Sequence, residues 1–339
     1  MLFITRYYYK VLITHNNTYK LPKSLLYNTF NQIEVDNIIS FLGIKIGTDS
    51  IKYTEGLNPL YPHPIIDFGK YIYLPLPIST LMNLPKVFHY TFVASKTFNK
   101  TTVTKYTNHR GDLVEDMTIE LLSNLFSRDK IHHSLKYPTK DDYEADITVY
   151  DNDICLLCEC KSKILTLPSL KGEISKIDED VHDAIGFAYK QAIRTLKWIE
   201  QGNSFISQET NTAITFQHQK KYFIMCITAE NFGVVPYELD KYIKLDTEIP
   251  IVPIVINIYD LEILVKESVS KKDFFEYLEF REKNYDLISS LDELDILGLY
   301  KQYGNIQIQS EHSQLALIGF SEVFDLKYNS LASKWLFQL

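Results

Sequence analysis

The chain has 339 residues, of which 45% are hydrophobic and 23% charged, with 24 Tyr, 19 Phe and only 12 Gly. That balance argues against large-scale disorder, and no apolar run is long enough to span a bilayer. The net charge of −8 excludes a uniformly basic nucleic-acid-binding surface, although a local groove can differ from the whole.

Residues 1 to about 105 open with a strand-like run, Leu2 to Ile13, in which Arg6 and Lys10 stand among tyrosines and no signal-peptide core is visible. A cytoplasmic protein is expected. Helical spacing follows around Gln32 to Leu42. The next stretch carries Pro59, Pro62, Pro64, Pro75, Pro77 and Pro85, which argue against a regular helix or a central strand. This region is expected to wrap the core or to form a small accessory or recognition module.

Between Lys86 and Lys140 nine basic residues face five acids, so this stretch is locally basic in an acidic chain. Lys96, Lys100, Lys105 and Arg110 form an acid-free run interleaved with Thr, Phe, Tyr and Asn, either a track for phosphates or a solvated strand pair. A helix is expected next, with Val114, Met117, Leu121, Leu122 and Leu125 on its apolar face. Asp112 and Glu115 match a capping box at its start.

Asp146 to Tyr150 and Ile154 to Cys160 are two strand-like runs separated by Asp151-Asn152-Asp153, a hairpin signature. Alternation puts Cys155, Leu157, Glu159 and Lys161 on one face and Ile154, Leu156, Cys158 and Cys160 on the other. Asp146 falls close to Glu159 and Lys161. Two carboxylates converging at a strand end suit a hard cation such as Mg2+, and an ammonium beside them can hold a water.

From Asp178 to Gln201 the pattern is a long helix with Val181, Ile185, Ala188, Ala192, Leu196 and Ile199 as its stripe, and Gln191 at the edge of the buried face. Lys190, Arg194 and Lys197 lie on its polar side, either solvated or in reach of a phosphate backbone. Strands are expected at Lys221 to Ala229 and Ile249 to Tyr259. Helices are expected around Asp260 to Leu264, Lys272 to Lys283 and Leu291 to Tyr300. Cys155, Cys158, Cys160 and Cys226 lack the paired spacing of a zinc site and read as buried apolar residues. No phosphate-binding Gly-rich loop or nucleophile elbow occurs.

Asp146, Glu159-Cys160-Lys161, Glu115 upstream and Gln191 downstream together resemble the PD-(D/E)xK nucleases of the restriction-endonuclease-like superfamily. Ala145 stands where the Pro of the motif would be. The resemblance covers the middle of the chain and implies an α/β fold, a restriction-endonuclease-like mixed sheet flanked by helices over residues 106–285. Residues 1–105 would be an N-terminal accessory region and 286–339 a small C-terminal appendage. It further implies a Mg2+-dependent nuclease, with Mn2+ able to substitute, acting on nucleic acid with DNA favoured over RNA. Asp146, Glu159 and the carbonyl of Cys160 would hold the metal together with Glu115, directly or through water, Lys161 would orient or activate water, and Gln191 would support the site. Lys96, Lys100, Lys105, Arg110, Lys190 and Arg194 would contact nucleic acid. Cutting both strands would favour a homodimer. An inactive binding module of the same fold is the non-enzymatic alternative.

Overall fold

The structure is a computed structural model that describes residues 20–45, 60, 63–75, 84–94, 98–139, 143–306 and 314–328. The chain divides into two compact units, Met1–Tyr106 with Thr166–Glu173, and Thr107–Leu165 with Ile174–Leu339.

The first unit holds a small sheet in the order β1-β4-β3-β2, formed by β1 (Leu21–Pro22), β2 (Gly43–Lys45), β3 (Ile65–Asp67) and β4 (Tyr71–Tyr73). With helices α1 (Lys23–Tyr27), α2 (Gln32–Leu42) and α3 (Leu84–Ala94) it encloses its own core, including Leu21, Leu26, Ile39, Ile65 and Ile72. α2 occupies the segment its periodicity predicts, and the Asn31 side chain caps it by accepting from the Ile33 and Glu34 amides. Pro85 does not exclude helix: it sits in the first turn of α3, where its missing N–H has no intrahelical partner to lose. The run Leu2 to Ile13, Pro59, Pro62 and Pro77 lie outside the described residues.

Helix α4 (Lys100–Leu122) corrects the sequence reading at two points. The acid-free stretch is helical from Lys100, not a strand pair. Asp112 and Glu115 therefore lie in the middle of a helix and cannot form its capping box. The N-cap is Asn99, whose side chain accepts from the Thr102 amide at 2.8 Å and the Thr102 hydroxyl at 2.9 Å. Thr101, Thr102, Val103 and Thr104 are weak helix formers, but a helix already capped and anchored by buried Val114, Thr118 and Leu122 extends cooperatively through them.

The second unit is built on a seven-stranded mixed sheet in the order β11-β10-β7-β6-β5-β8-β9. The strands are β5 (Ile131–Lys136), β6 (Glu144–Asp151), β7 (Ile154–Lys161), β8 (Ser204–Ser207), β9 (Ala213–Thr215), β10 (Lys221–Thr228) and β11 (Ile254–Asn257). β5, β6 and β7 pair antiparallel in turn, and β10 then joins β7 in parallel. β6 and β7 are flanked on both edges and covered on both faces, which is why they read as near-continuous apolar runs. The last strand is shorter than its apolar run, because Pro250 and Pro253 have no amide to give to a ladder.

Helices cover both faces. α5 (Ile174–Val181) and α6 (Phe187–Glu200), joined through a π-helical turn at His182–Gly186, pack on one core with Cys155, Leu157, Ile224 and Cys226. On the other face α4, α7 (Ile258–Glu267), α8 (Lys271–Lys283) and α9 (Glu293–Tyr303) pack on Leu156, Cys158, Phe223 and Ile256. Residues 293–303 thus belong to the sheet unit instead of standing apart. Gly298 permits α9 to lie against Phe320, since a Cβ there would come within 2.1 Å of the Phe320 carbonyl oxygen. No described helix is long and apolar enough to cross a membrane.

Asp260, in the first turn of α7, accepts from the Asn257 amide at 2.5 Å, and burial, with Asp292 and Glu293 adding to it, raises its carboxyl from 3.8 to about 8. The folded state then holds a proton that the unfolded state has released, so this group's contribution is present in acid and is lost as pH rises through about 8. Asp260→Asn should accordingly gain melting temperature over wild type progressively from pH 5 to pH 9. A gap that stays constant across that range would contradict the shift.

Candidate active site

β6 and β7 run in register from Asp151 opposite Ile154 to Ile147 opposite Cys158, closing through a tight turn in which Asn152 takes a φ of 52°. Continuing that register by one residue sets Asp146 opposite Glu159. There Asp146 Oδ2 accepts the Cys160 amide N–H at 2.8 Å and the Lys161 ammonium at 3.3 Å. The same ammonium lies 3.7 Å from Glu159 Oε2. The hairpin brings all three predicted residues into one cluster.

Burial makes that cluster electrostatically tight. Glu159 is 1% exposed and Asp146 8%, while Lys161 is half-buried. Desolvation, reinforced by Asp146, pushes the Glu159 carboxyl well above the usual carboxylate range despite Lys161 and Arg194 nearby. Burial works against the Lys161 charge, but Asp146 and Glu159 outweigh it and raise its pKa, so Lys161 stays an ammonium. Glu159 Oε2 is buried without a hydrogen-bond partner. A buried acceptor left in this state is expensive unless something completes it.

Glu115 approaches from α4. One turn further on, Thr118 accepts from the Cys160 thiol at 3.6 Å and donates to the Val114 carbonyl, which pins the helix beneath the end of β7. Gly111 on the same helix passes close to Ser162, where a Cβ would stand 3.9 Å from Oγ. Glu115 is half-buried, and desolvation, with Asp146 and Glu144 adding to it, lifts its carboxyl from 4.5 to about 8. Gln191 comes from α6 on the opposite face, its Oε1 also buried and without a hydrogen-bond partner. The apolar stripe beside it, Val181 to Ile199, is buried as its spacing predicts.

The donor set suits Mg2+ in kind: oxygen ligands only, one of them an orphaned carboxylate oxygen. Among the described residues no three His, Cys, Asp or Glu side chains gather closely enough to hold a metal. Glu115 is therefore not brought in as a third side-chain ligand. What the geometry offers is the carboxylates of Asp146 and Glu159 side by side, and Mg2+ commonly fills its remaining positions with water.

The basic residues separate into groups. Lys100 and Lys105 are exposed on the part of α4 that belongs to the first unit, and Lys96 lies outside the described residues. Arg110 is mostly buried and lies 3.7 Å from Glu230, an internal pair. Lys190 is exposed, and the Arg194 guanidinium stacks 3.7 Å over the Tyr143 ring. Sequence reasoning missed Lys163, whose ammonium joins buried Asp180 and exposed Asp183, each at 3.1 Å. The signal was present, for Lys163 follows Lys161 by one alternation, but its partners lie in another element. All four cysteines are buried and free.

Comparison with protein-family profiles, curated proteins and solved structures gives no match.

If Glu159 is held for a ligand rather than for the fold, neutralising it should relieve the protein. Glu159→Gln keeps the shape and removes the buried acid, and should raise the melting temperature in metal-free buffer at pH 8 by roughly 2 to 6 °C. A fall in melting temperature would mark the carboxyl as a structural group.

Proposed function

We propose that this protein is a metal-dependent nuclease of the PD-(D/E)xK type, hydrolysing phosphodiester bonds in nucleic acid, with DNA favoured over RNA. The observation that carries this reading is the cluster itself: two carboxylates share one ammonium at the end of a hairpin, and the oxygen of the deeper one that faces that ammonium at 3.7 Å is dry and makes no hydrogen bond. Support comes from the order of elements, in which the helix bearing Glu115 precedes the hairpin and the helix bearing Gln191 follows it. A mixed sheet with helices on both faces is compatible with the restriction-endonuclease-like arrangement.

Asp146, Glu159 and the Cys160 carbonyl would hold Mg2+, or Mn2+ in its place. Bound there, the metal would polarise the scissile phosphate and favour deprotonation of water. The chain's own residues supply the rest. Lys161, kept as an ammonium by its two neighbours, orients the attacking water and stabilises negative charge as it develops on the phosphate. Its charge state suits it poorly to remove the water's proton. Gln191 presents an amide oxygen whose missing partner a water or the substrate can supply. Glu115 adds a carboxyl beside the cluster from α4.

These roles predict a graded result. With labelled single- and double-stranded DNA and RNA, cleavage should require Mg2+ or Mn2+ and cease with EDTA. Asp146→Asn, Glu159→Gln and Lys161→Ala should each lower the rate by about 100-fold or more while staying folded. Glu115→Gln should reduce the rate without the loss of stability a capping residue would show, and Gln191→Ala should slow turnover with little change in melting temperature. Wild-type rates in the first three variants would overturn the assignment.

A further inference from the structure

A groove of about 690 Å3 runs along α6 against the segment Lys244–Thr247 and is lined by Lys190, Arg194, Lys197, Trp198, Lys244 and Asp246 among others. That volume falls within the range of ordinary ligand clefts. Residues 190, 194, 197 and 201 recur at helical spacing along one face of α6, roughly 16 Å of its length.

The charges divide into those that build the groove and those left for a ligand. Lys197 is committed to the wall, holding Asp246 at 2.9 Å and Glu248 at 3.1 Å and so fixing the facing segment to the helix. Among the described residues Lys190, Arg194 and Lys244 make no ion pair: Lys190 lies 2.9 Å from the His182 ring nitrogen, and Arg194 rests on the Tyr143 ring. Three cations outside any ion pair, on a groove whose one lining acid, Asp246, is held by Lys197, are complementary to a polyanion in a chain of net charge −8. Trp198 offers an apolar wall, its indole fixed by donating to the Ser204 carbonyl at 3.0 Å. Arg194, which lines the groove, stands on the same helix as Gln191, three residues after it, and Gln191 belongs to the group of residues assigned to the cluster.

We propose that this groove carries a run of nucleic-acid backbone toward the cluster, with Lys190, Arg194 and Lys244 receiving phosphates and Trp198 lying against a sugar or base. The proposal rests on the nuclease reading and deepens it. It moves the substrate track from the Lys96–Arg110 stretch, where Arg110 is paired internally, to α6.

The test uses the full chain in EDTA, so that binding is read without cleavage. Affinities for labelled single-stranded DNA, the matching duplex and single-stranded RNA are measured against salt for wild type, the Lys190→Ala/Lys244→Ala double variant and a Lys272→Ala control. Lys190 and Lys244 are both exposed, so the double variant should fold. Each phosphate contact contributes about 0.7 to the single-strand salt slope, so the double variant should flatten it by about 1.4 and leave the control unchanged. The probe that shows this change identifies whether the backbone is a free strand or part of a duplex. An unchanged slope on every probe that wild type binds overturns the groove. If Mg2+-dependent cleavage persists in that case, the nuclease reading survives without it. Wild type that binds none of the probes overturns both.

Discussion

One ammonium cannot neutralise two buried carboxylates, and the geometry around Lys161 follows from that imbalance. Asp146 takes the shorter contact and the Cys160 amide, while Glu159, deeper in the protein, is left with a longer ion pair whose oxygen makes no hydrogen bond. Burial and the neighbouring Asp146 push the Glu159 carboxyl upward, which favours its neutral form against the pull of Lys161 and Arg194. Divalent charge would instead let both carboxylates ionise side by side.

The rest of the sheet unit serves to keep that imbalance in place. Glu159 is dry because β7 is enclosed by β6 and β10 at its edges and by α6 over its face. α4 is held against the opposite face through Thr118 and Cys160, which fixes where Glu115 can act. The π-helical turn at His182–Gly186 changes the register of the helix before Phe187, so the face that α6 presents, with Gln191 at its edge, is set by this extra-wide turn. The first unit has a core of its own.

Much of this was legible in the sequence because it is local. The hairpin follows from two apolar runs around Asp151-Asn152-Asp153, and once it pairs, period-two alternation puts Glu159 and Lys161 together with no tertiary information needed. The stripe from Val181 to Ile199 was equally plain. What failed depended on distance or competition. The match of Asp112 and Glu115 to a capping box was genuine but redundant, because Asn99 had already started the helix thirteen residues before Asp112. Arg110 looked free in sequence because Glu230 lies across the sheet unit. The groove was invisible for the same reason: Lys190 and Arg194 could be seen on a helix face, but the wall bearing Lys244 and Asp246 comes from a distant loop.

The central claim is that the Asp146–Glu159–Lys161 cluster is a cation site poised by a retained proton. Calorimetric titration of the metal-free protein with Mg2+ at pH 7, in two buffers of different ionisation enthalpy, measures binding and the accompanying proton release together. Saturable binding with proton release, both lost in Asp146→Asn and the proton release lost in Glu159→Gln, is the expected result. Absence of saturable binding, or binding that is identical in Asp146→Asn, would contradict it.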